Sequence, residues 1–218
     1  MNKTGIILLS GGLDSLVSLD IAKKTCKIKL ALTFDYGQKA FFEEKKASKE
    51  ISEFYNIEHK VVELSFLKDL TDNALTNPNN DNFNDFNSVW IPNRNGLFLN
   101  VAGCFCDKLG YDYIIFGANK DEARDFPDNT EEFVAASNTF FKYATIKIPE
   151  VFAPCINFDK IEIVNYALEN NVPLKLLKSC YNSIQNTSKK HCGKCMSCQL
   201  LFNAIKNSKN PALLKEIF

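Results

Sequence analysis

Blocks of apolar positions alternate with polar, helix-period stretches along the 218-residue chain. Gly5-Ile6-Ile7-Leu8-Leu9 is apolar throughout and ends at Ser10-Gly11-Gly12. A short run without polar gaps is the pattern of a strand covered on both faces. Residues 14–24 set Leu16, Val17, Leu19 and Ile21 on one side of a helix. Residues 28–34 predict a second strand. Residues 41–55 carry Glu43-Glu44-Lys45-Lys46 on one face and Ala47, Ile51 and Phe54 on the other, as an amphipathic helix does. Residues 58–64 form a third strand candidate. Residues 71–88 are crowded with Asn and Asp, broken by Pro78, and read as a long loop, either a functional lid or disordered. Further helices are expected over 96–109, closed by Gly110, and over 131–143 and 159–170, with Asp159 as a cap. Strands are expected over 112–117 and 146–153.

Strands alternating with helices at this spacing predict an α/β fold: a doubly wound, mostly parallel five-stranded sheet. Residues 1–175 are expected to form that sheet domain and 176–218 a helical segment packed on it. Ligands of such sheets sit beyond the carboxyl ends of the strands, where the strand order reverses.

Charge narrows the choice of partners. The 26 basic and 26 acidic residues cancel, so no global field draws the chain to nucleic acid or membrane. A short apolar run near the start is not a signal peptide, and no stretch reaches bilayer length, so a cytoplasmic protein is expected. Only Arg94 and Arg124 among those 26 basic residues are arginine. Where lysine fills nearly every cationic position, an arginine points to work that needs its planar fork, such as gripping an anion at two points.

The first strand runs straight into Ser10-Gly11-Gly12-Leu13-Asp14-Ser15, and a helix follows. The glycines let the backbone turn sharply beside an anion, and the helix start offers amides and the positive dipole end. The serine hydroxyls can donate to phosphate oxygens, whereas acidic Asp14 suits a helix cap or a water-mediated hold on Mg²⁺. The lysine of a Walker A loop is missing. After the second strand, Tyr36 and Gln38 lie where a doubly wound sheet would bring them beside this loop, lining the nucleotide pocket.

Eight cysteines divide into two groups. Cys26, Cys104, Cys106 and Cys155 are scattered through expected core elements. Cys180, Cys192, Cys195 and Cys198 gather late in the chain, and four thiolates suit a closed tetrahedral structural zinc site. His191 is an alternative ligand or a donor behind the ligands. An iron–sulfur cluster is the main competitor. Its ferredoxin-type run ends in Cys-Pro after three intervening residues beyond the third cysteine, where this chain has Phe202.

Ser-Gly-Gly-x-Asp-Ser, Pro92-Asn93-Arg94-Asn95, Phe126-Pro127-Asp128, Ser179-Cys180-Tyr181 and the run from His191 to Cys198 occur in the order found in 7-cyano-7-deazaguanine synthases. The resemblance to this family of PP-loop ATP pyrophosphatases spans nearly the whole chain. It implies an adenine nucleotide alpha hydrolase-like fold and an ATP-dependent carbon–nitrogen ligase of queuosine biosynthesis. Such an enzyme converts 7-carboxy-7-deazaguanine and ammonia to the nitrile, adenylating first the acid and then the amide. It further implies that Leu9, Ser10, Gly11, Gly12, Leu13, Asp14, Ser15, Leu16 and Val17 hold ATP with Mg²⁺. Asp14, Ser15, Arg94 and Lys120 become the catalytic candidates, and Arg94, Asp121 and Asp128 the substrate contacts. A homodimer is expected from the family alone. The chain departs from the family at Lys178, where tryptophan is usual, and at Gln199-Leu200-Leu201-Phe202, where an arginine is common. The alternative is a PP-loop tRNA thiolation enzyme using Cys104 and Cys106. Those two sit two residues apart and do not share a helix face. A third possibility is a nucleotide-sensing module without catalysis.

Overall fold

The computed structural model describes residues 3–83, 86–183 and 191–218. Among the described residues there are five strands: β1 (Thr4–Leu8), β2 (Lys27–Asp35), β3 (Glu58–Glu63), β4 (Tyr113–Ile115) and β5 (Glu150–Phe152). The helices between them are α1 (Leu13–Ala22), α2 (Phe41–Phe54), α3 (Phe86–Val89), α4 (Arg94–Leu109), α5 (Glu131–Ala144) and α6 (Lys160–Glu169). Two more, α7 (Met196–Lys206) and α8 (Leu214–Ile217), close the chain. The strands pair in the order β3-β2-β1-β4-β5, all parallel. The chain winds outward from β1 to β3, then returns to the other side of β1 for β4. The reversal falls between β1 and β4, and a crevice opens there at the carboxyl ends.

Alternate residues of each strand feed two cores. Ile7, Leu9, Ile28, Ala31 and Ile115 pack under α1, α2 and α6. Ile6, Leu8, Leu30, Leu32 and Ile114 pack under α4 and α5. Both faces are covered, which is why the strands read as continuous apolar runs. Leu201, Ala204 and Ile205 of α7 and Ile217 of α8 enter the first core, so the last segment is built into the body. No helix among the described residues is long and apolar enough to cross a membrane.

Four local expectations are corrected. Phe54 is 61% exposed. Tyr55 takes the inward place, and its hydroxyl donates to Asp20 Oδ1 at 3.0 Å. Cys104 is exposed, whereas Cys106 is fully buried on the opposite side of α4. The fifth strand is shorter than residues 146–153. The amides of Ile146 and Lys147 donate to Asp107 Oδ1 at 2.9 and 2.6 Å, which pins a turn there and leaves Ile146 exposed. The polar segment from 71 onward is neither open lid nor free coil in its described part. Buried Asn73 accepts from the amides of Leu75 and Thr76 and donates to Trp90 O, and Leu75 and Phe83 are buried. An asparagine turn has drawn this polar stretch onto the body.

Candidate active site

The phosphate loop runs from the end of β1 into α1. Gly11 has φ +81°, and a Cβ there would sit 2.8 Å from that of Ala47. Both the turn and the close approach of α2 require glycine. Gly12 supplies no side chain to cap α1. The Leu13 amide donates instead to Ser179 Oγ at 3.2 Å, and Lys178 N donates to Gly11 O at 2.7 Å. The Ser15 hydroxyl donates to Gly12 O at 3.0 Å and lies 3.2 Å from Ser10 Oγ. Gly117, just past β4, presses on the loop: a Cβ there would lie 3.0 Å from Ser15 N.

Behind the loop, Lys160 bridges two carboxylates. Its Nζ is 2.5 Å from Asp14 Oδ2 and 2.8 Å from Glu122 Oε1. Burial alone would lower the Lys160 pKa, but Asp14 and Glu122 outweigh it, so the ammonium stays charged. Burial holds the Asp14 carboxyl above its ordinary range, with Lys160 pulling the other way. Asp14 Oδ1 is buried without a protein partner. An orphaned carboxylate oxygen at the head of a phosphate loop suits an Mg²⁺ ion or its water.

A cavity of about 220 Å³ opens above the loop. Ser10, Gly12, Asp14 and Ser15 line one end, and Arg94, Tyr36, Glu44 and Asp128 line the rest with a set of aromatic rings. Arg94 is the first residue of α4. Its guanidinium lies 5.4 Å from the centre of the Tyr36 ring, and its hydrogen bonds to Tyr36 Oη and Asn95 Oδ1 are long, 3.5 and 3.4 Å. Among the described residues neither Arg94 nor Asp128 is in an ion pair. The fork is thus available to an anion. Burial raises the Asp128 and Glu44 carboxyls, opposed by Arg94 at the first and by Gln38 at the second. Burial pushes the Tyr36 phenol up to about 12.

The other expected site residues divide between the cavity and its surroundings. Leu9 lines the cavity. Leu13, Leu16 and Val17 point into the core beneath it, because the helix they begin must bury one face. Gln38 is buried behind Tyr36, accepting from its amide and donating to Phe34 O and Glu44, so it braces the wall. Lys120 is exposed and outside the cavity lining. Asp121 accepts from Lys160 N at 2.9 Å and pairs with Arg124, itself 70% exposed. The lysine at the loop is Lys160, which sequence reasoning missed, as it did Glu122 and Glu44. One signal for Lys160 was present: it directly follows the capping residue Asp159, so it had to fall in the first turn of a helix whose start faces the ligand crevice.

The late cysteines form a second centre against the same cavity. The Sγ atoms of Cys180, Cys192, Cys195 and Cys198 lie within 4.8 Å of one another, and those of Cys192 and Cys198 are 3.8 Å apart. Four sulfurs about 2.3 Å from one ion would be separated by about that distance in a tetrahedron. The amides of Lys194 and Cys195 donate to Cys192 Sγ, and that of Cys192 to Cys180 Sγ, as thiolates require. The cluster therefore fits a metal site. His191 is not among its ligands. Its Nε2 accepts from Ser179 N at 3.1 Å, so its Nδ1 donates to Ile217 O at 2.9 Å. Ser179 O in turn accepts from Ser197 of α7, and Cys180 and Ser197 line the cavity. Cys104 and Cys106 face opposite ways and build no joint site.

A family model described as queuosine biosynthesis protein QueC matches residues 4–209. A 7-cyano-7-deazaguanine synthase of Methanosarcina mazei is 38% identical over 227 residues, 95% of this chain and 96% of the relative. Another, from Carboxydothermus hydrogenoformans, is 40% identical over 211 residues, 91% of this chain and 96% of that protein. Among solved structures, the U34-tRNA thiolase NcsA of Methanococcus maripaludis, determined with its [4Fe-4S] cluster, aligns with TM-score 0.52 at 18% identity. It covers 94% of this chain and 67% of its own, a likeness of fold.

Proposed function

The chain belongs to the queuosine biosynthesis protein QueC family, and from that premise we propose that it is an ATP-dependent carbon–nitrogen ligase making 7-cyano-7-deazaguanine from 7-carboxy-7-deazaguanine and ammonia. One observation carries the reading: the phosphate loop and the unpaired Arg94 fork open on a single cavity.

A carboxylate is a poor electrophile, and ATP supplies the adenylyl group that turns one of its oxygens into part of a leaving group. The protein's own task is to bind, orient and neutralise charge. Ser10, Gly12 and Ser15, with the positive end of α1, hold the polyphosphate. Asp14, steadied by Lys160, would hold Mg²⁺ or its water through its unshared oxygen. Arg94 grips the anion at the reacting end, and Asp128 accepts from the amine of the base. The cavity walls keep bulk water from competing with ammonia.

We assign zinc to the four cysteines. The donor set is all sulfur, and four thiolates would fill every position of a tetrahedral ion, so zinc held there would be structural. A homodimer is supported by the exposed apolar run Phe140, Tyr143, Ile146 and Ile148.

The test is incubation with ATP, Mg²⁺, ammonium and 7-carboxy-7-deazaguanine, followed by mass spectrometry. The nitrile is expected together with AMP and pyrophosphate whose release depends on the base. Absence of both overturns the proposal. Elemental analysis is expected to give one zinc per chain and no iron.

A further inference from the structure

We propose that the ring pair Trp90–Phe126 is the seat of the planar deazapurine base. This rests on the synthase activity proposed above and names the part of the cavity that recognises its substrate. Trp90 is the only tryptophan in the chain. Its ring centre lies 6.0 Å from that of Phe126, with the planes 22° apart, and both rings line the cavity. That spacing is near the upper end for rings in mutual contact. A planar base entering the cavity stacks on the cavity-facing side of this nearly parallel ring pair.

The backbone around the pair is anchored on both sides. Trp90 O accepts from Asn73 Nδ2 at 3.2 Å, and Phe126 N donates to Glu122 O at 2.8 Å. Each wall also carries a charged group beside its ring. Arg94 follows Trp90 at the head of α4, and Asp128 follows Phe126 across Pro127. A 7-carboxy-7-deazaguanine has complementary ends: a carboxylate on the five-membered ring, and two N–H donors, ring and exocyclic, on the far edge of the six-membered ring. The arginine fork matches the first and a carboxylate matches the second. Adenine is a poorer occupant of the same place. It carries no anion of its own, and its pairing edge offers one donor beside an acceptor that would face Asp128.

Seated here, the base would have its carboxylate on Arg94 and its amine edge on Asp128, with the phosphate loop at the other end of the cavity. The sole tryptophan then reports occupancy directly. Titration of the wild-type protein with 7-carboxy-7-deazaguanine, in the presence of Mg²⁺ and α,β-methylene-ATP, is expected to quench its fluorescence saturably.

Calorimetry on Trp90→Leu and Phe126→Leu, which keep apolar volume but remove the ring, is expected to show base affinity lowered about tenfold or more. Affinity for α,β-methylene-ATP should change less than twofold. Trp90→Phe should recover most of the base affinity. Base affinity within twofold of wild type in both leucine variants overturns the inference, as does a loss of nucleotide affinity in its place. If the wild-type protein forms nitrile while either of those results is found, the activity stands and only the seat is wrong. If the wild-type protein neither binds the base nor forms nitrile, the activity itself fails.

Discussion

One ammonium between two part-buried carboxylates ties the phosphate loop to the start of α6, which packs on the same face of the sheet as α1. Removing Lys160 leaves Asp14 and Glu122 facing each other without a counter-charge. Breaking a buried pair from one side costs about 3–5 kcal/mol. Lys160→Met is expected to lose stability of that order in urea denaturation, and Asp14, no longer braced, should weaken Mg²⁺–ATP binding with it. His59 on β3 offers a pH test. The Thr33 hydroxyl is committed to Leu9 O at 2.6 Å, so His59 Nε2, 2.8 Å away, must donate to Thr33. Burial, with Lys45 and Lys49 adding repulsion, lowers the His59 pKa. The unfolded chain then binds more protons than the folded one just below the ordinary value of about 6.5, so stability is lost as the pH is lowered through that range. Thermal melts between pH 7.5 and 5 should drop more steeply for wild type than for His59→Gln. Equal slopes would refute the assignment.

Helix α6 places Lys160, and its start is closed by a reciprocal cap. Asp159 accepts from Glu162 N at 2.8 Å, and Glu162 accepts from Asp159 N at 2.9 Å. Asp159→Ala is expected to cost about 1 kcal/mol in chemical denaturation, with a larger loss in nucleotide affinity than an ordinary surface cap would cause, since Lys160 is the next residue. Elements of this kind were legible from the chain. Periodicity located α1, α2, α4, α5 and α6, the cap residue marked α6, and the glycine turn marked the loop. Elements set by distant contacts were not. Nothing local announces that Asp107 will pin residues 146–147, that Asn73 will fold a polar stretch onto the cavity, or that Tyr55 will displace Phe54 from the core. The site divides the same way. Motif residues Ser10 to Ser15, Arg94, Asp128 and the four cysteines each lay within a short pattern. Lys160, Glu122 and Glu44 work through partners up to 146 residues away, and only the fold tells that Lys160, and not Lys120, turns toward the loop.

At the scale of the molecule, the winding order sets where everything meets. Because the chain reverses beside β1, the ends of β1, β2 and β4 share one crevice, and the cysteine-bearing segment closes over it. Ser179 stands at that closure. Its hydroxyl receives the Leu13 amide of the loop, its carbonyl receives Ser197 of the helix carrying Cys198, and the next residue is itself a cysteine of the cluster. Two binding events that share such a hinge are expected to be coupled, and any coupling between them runs equally in both directions. Saturating nucleotide should therefore slow extraction of the ion by a chromogenic chelator, and the stripped protein should bind α,β-methylene-ATP more weakly by the same factor as the ion's affinity rises with nucleotide present. Unequal factors would break that thermodynamic cycle. Identical release rates with and without nucleotide would mean that the cysteine cluster and the loop share a residue but no free energy.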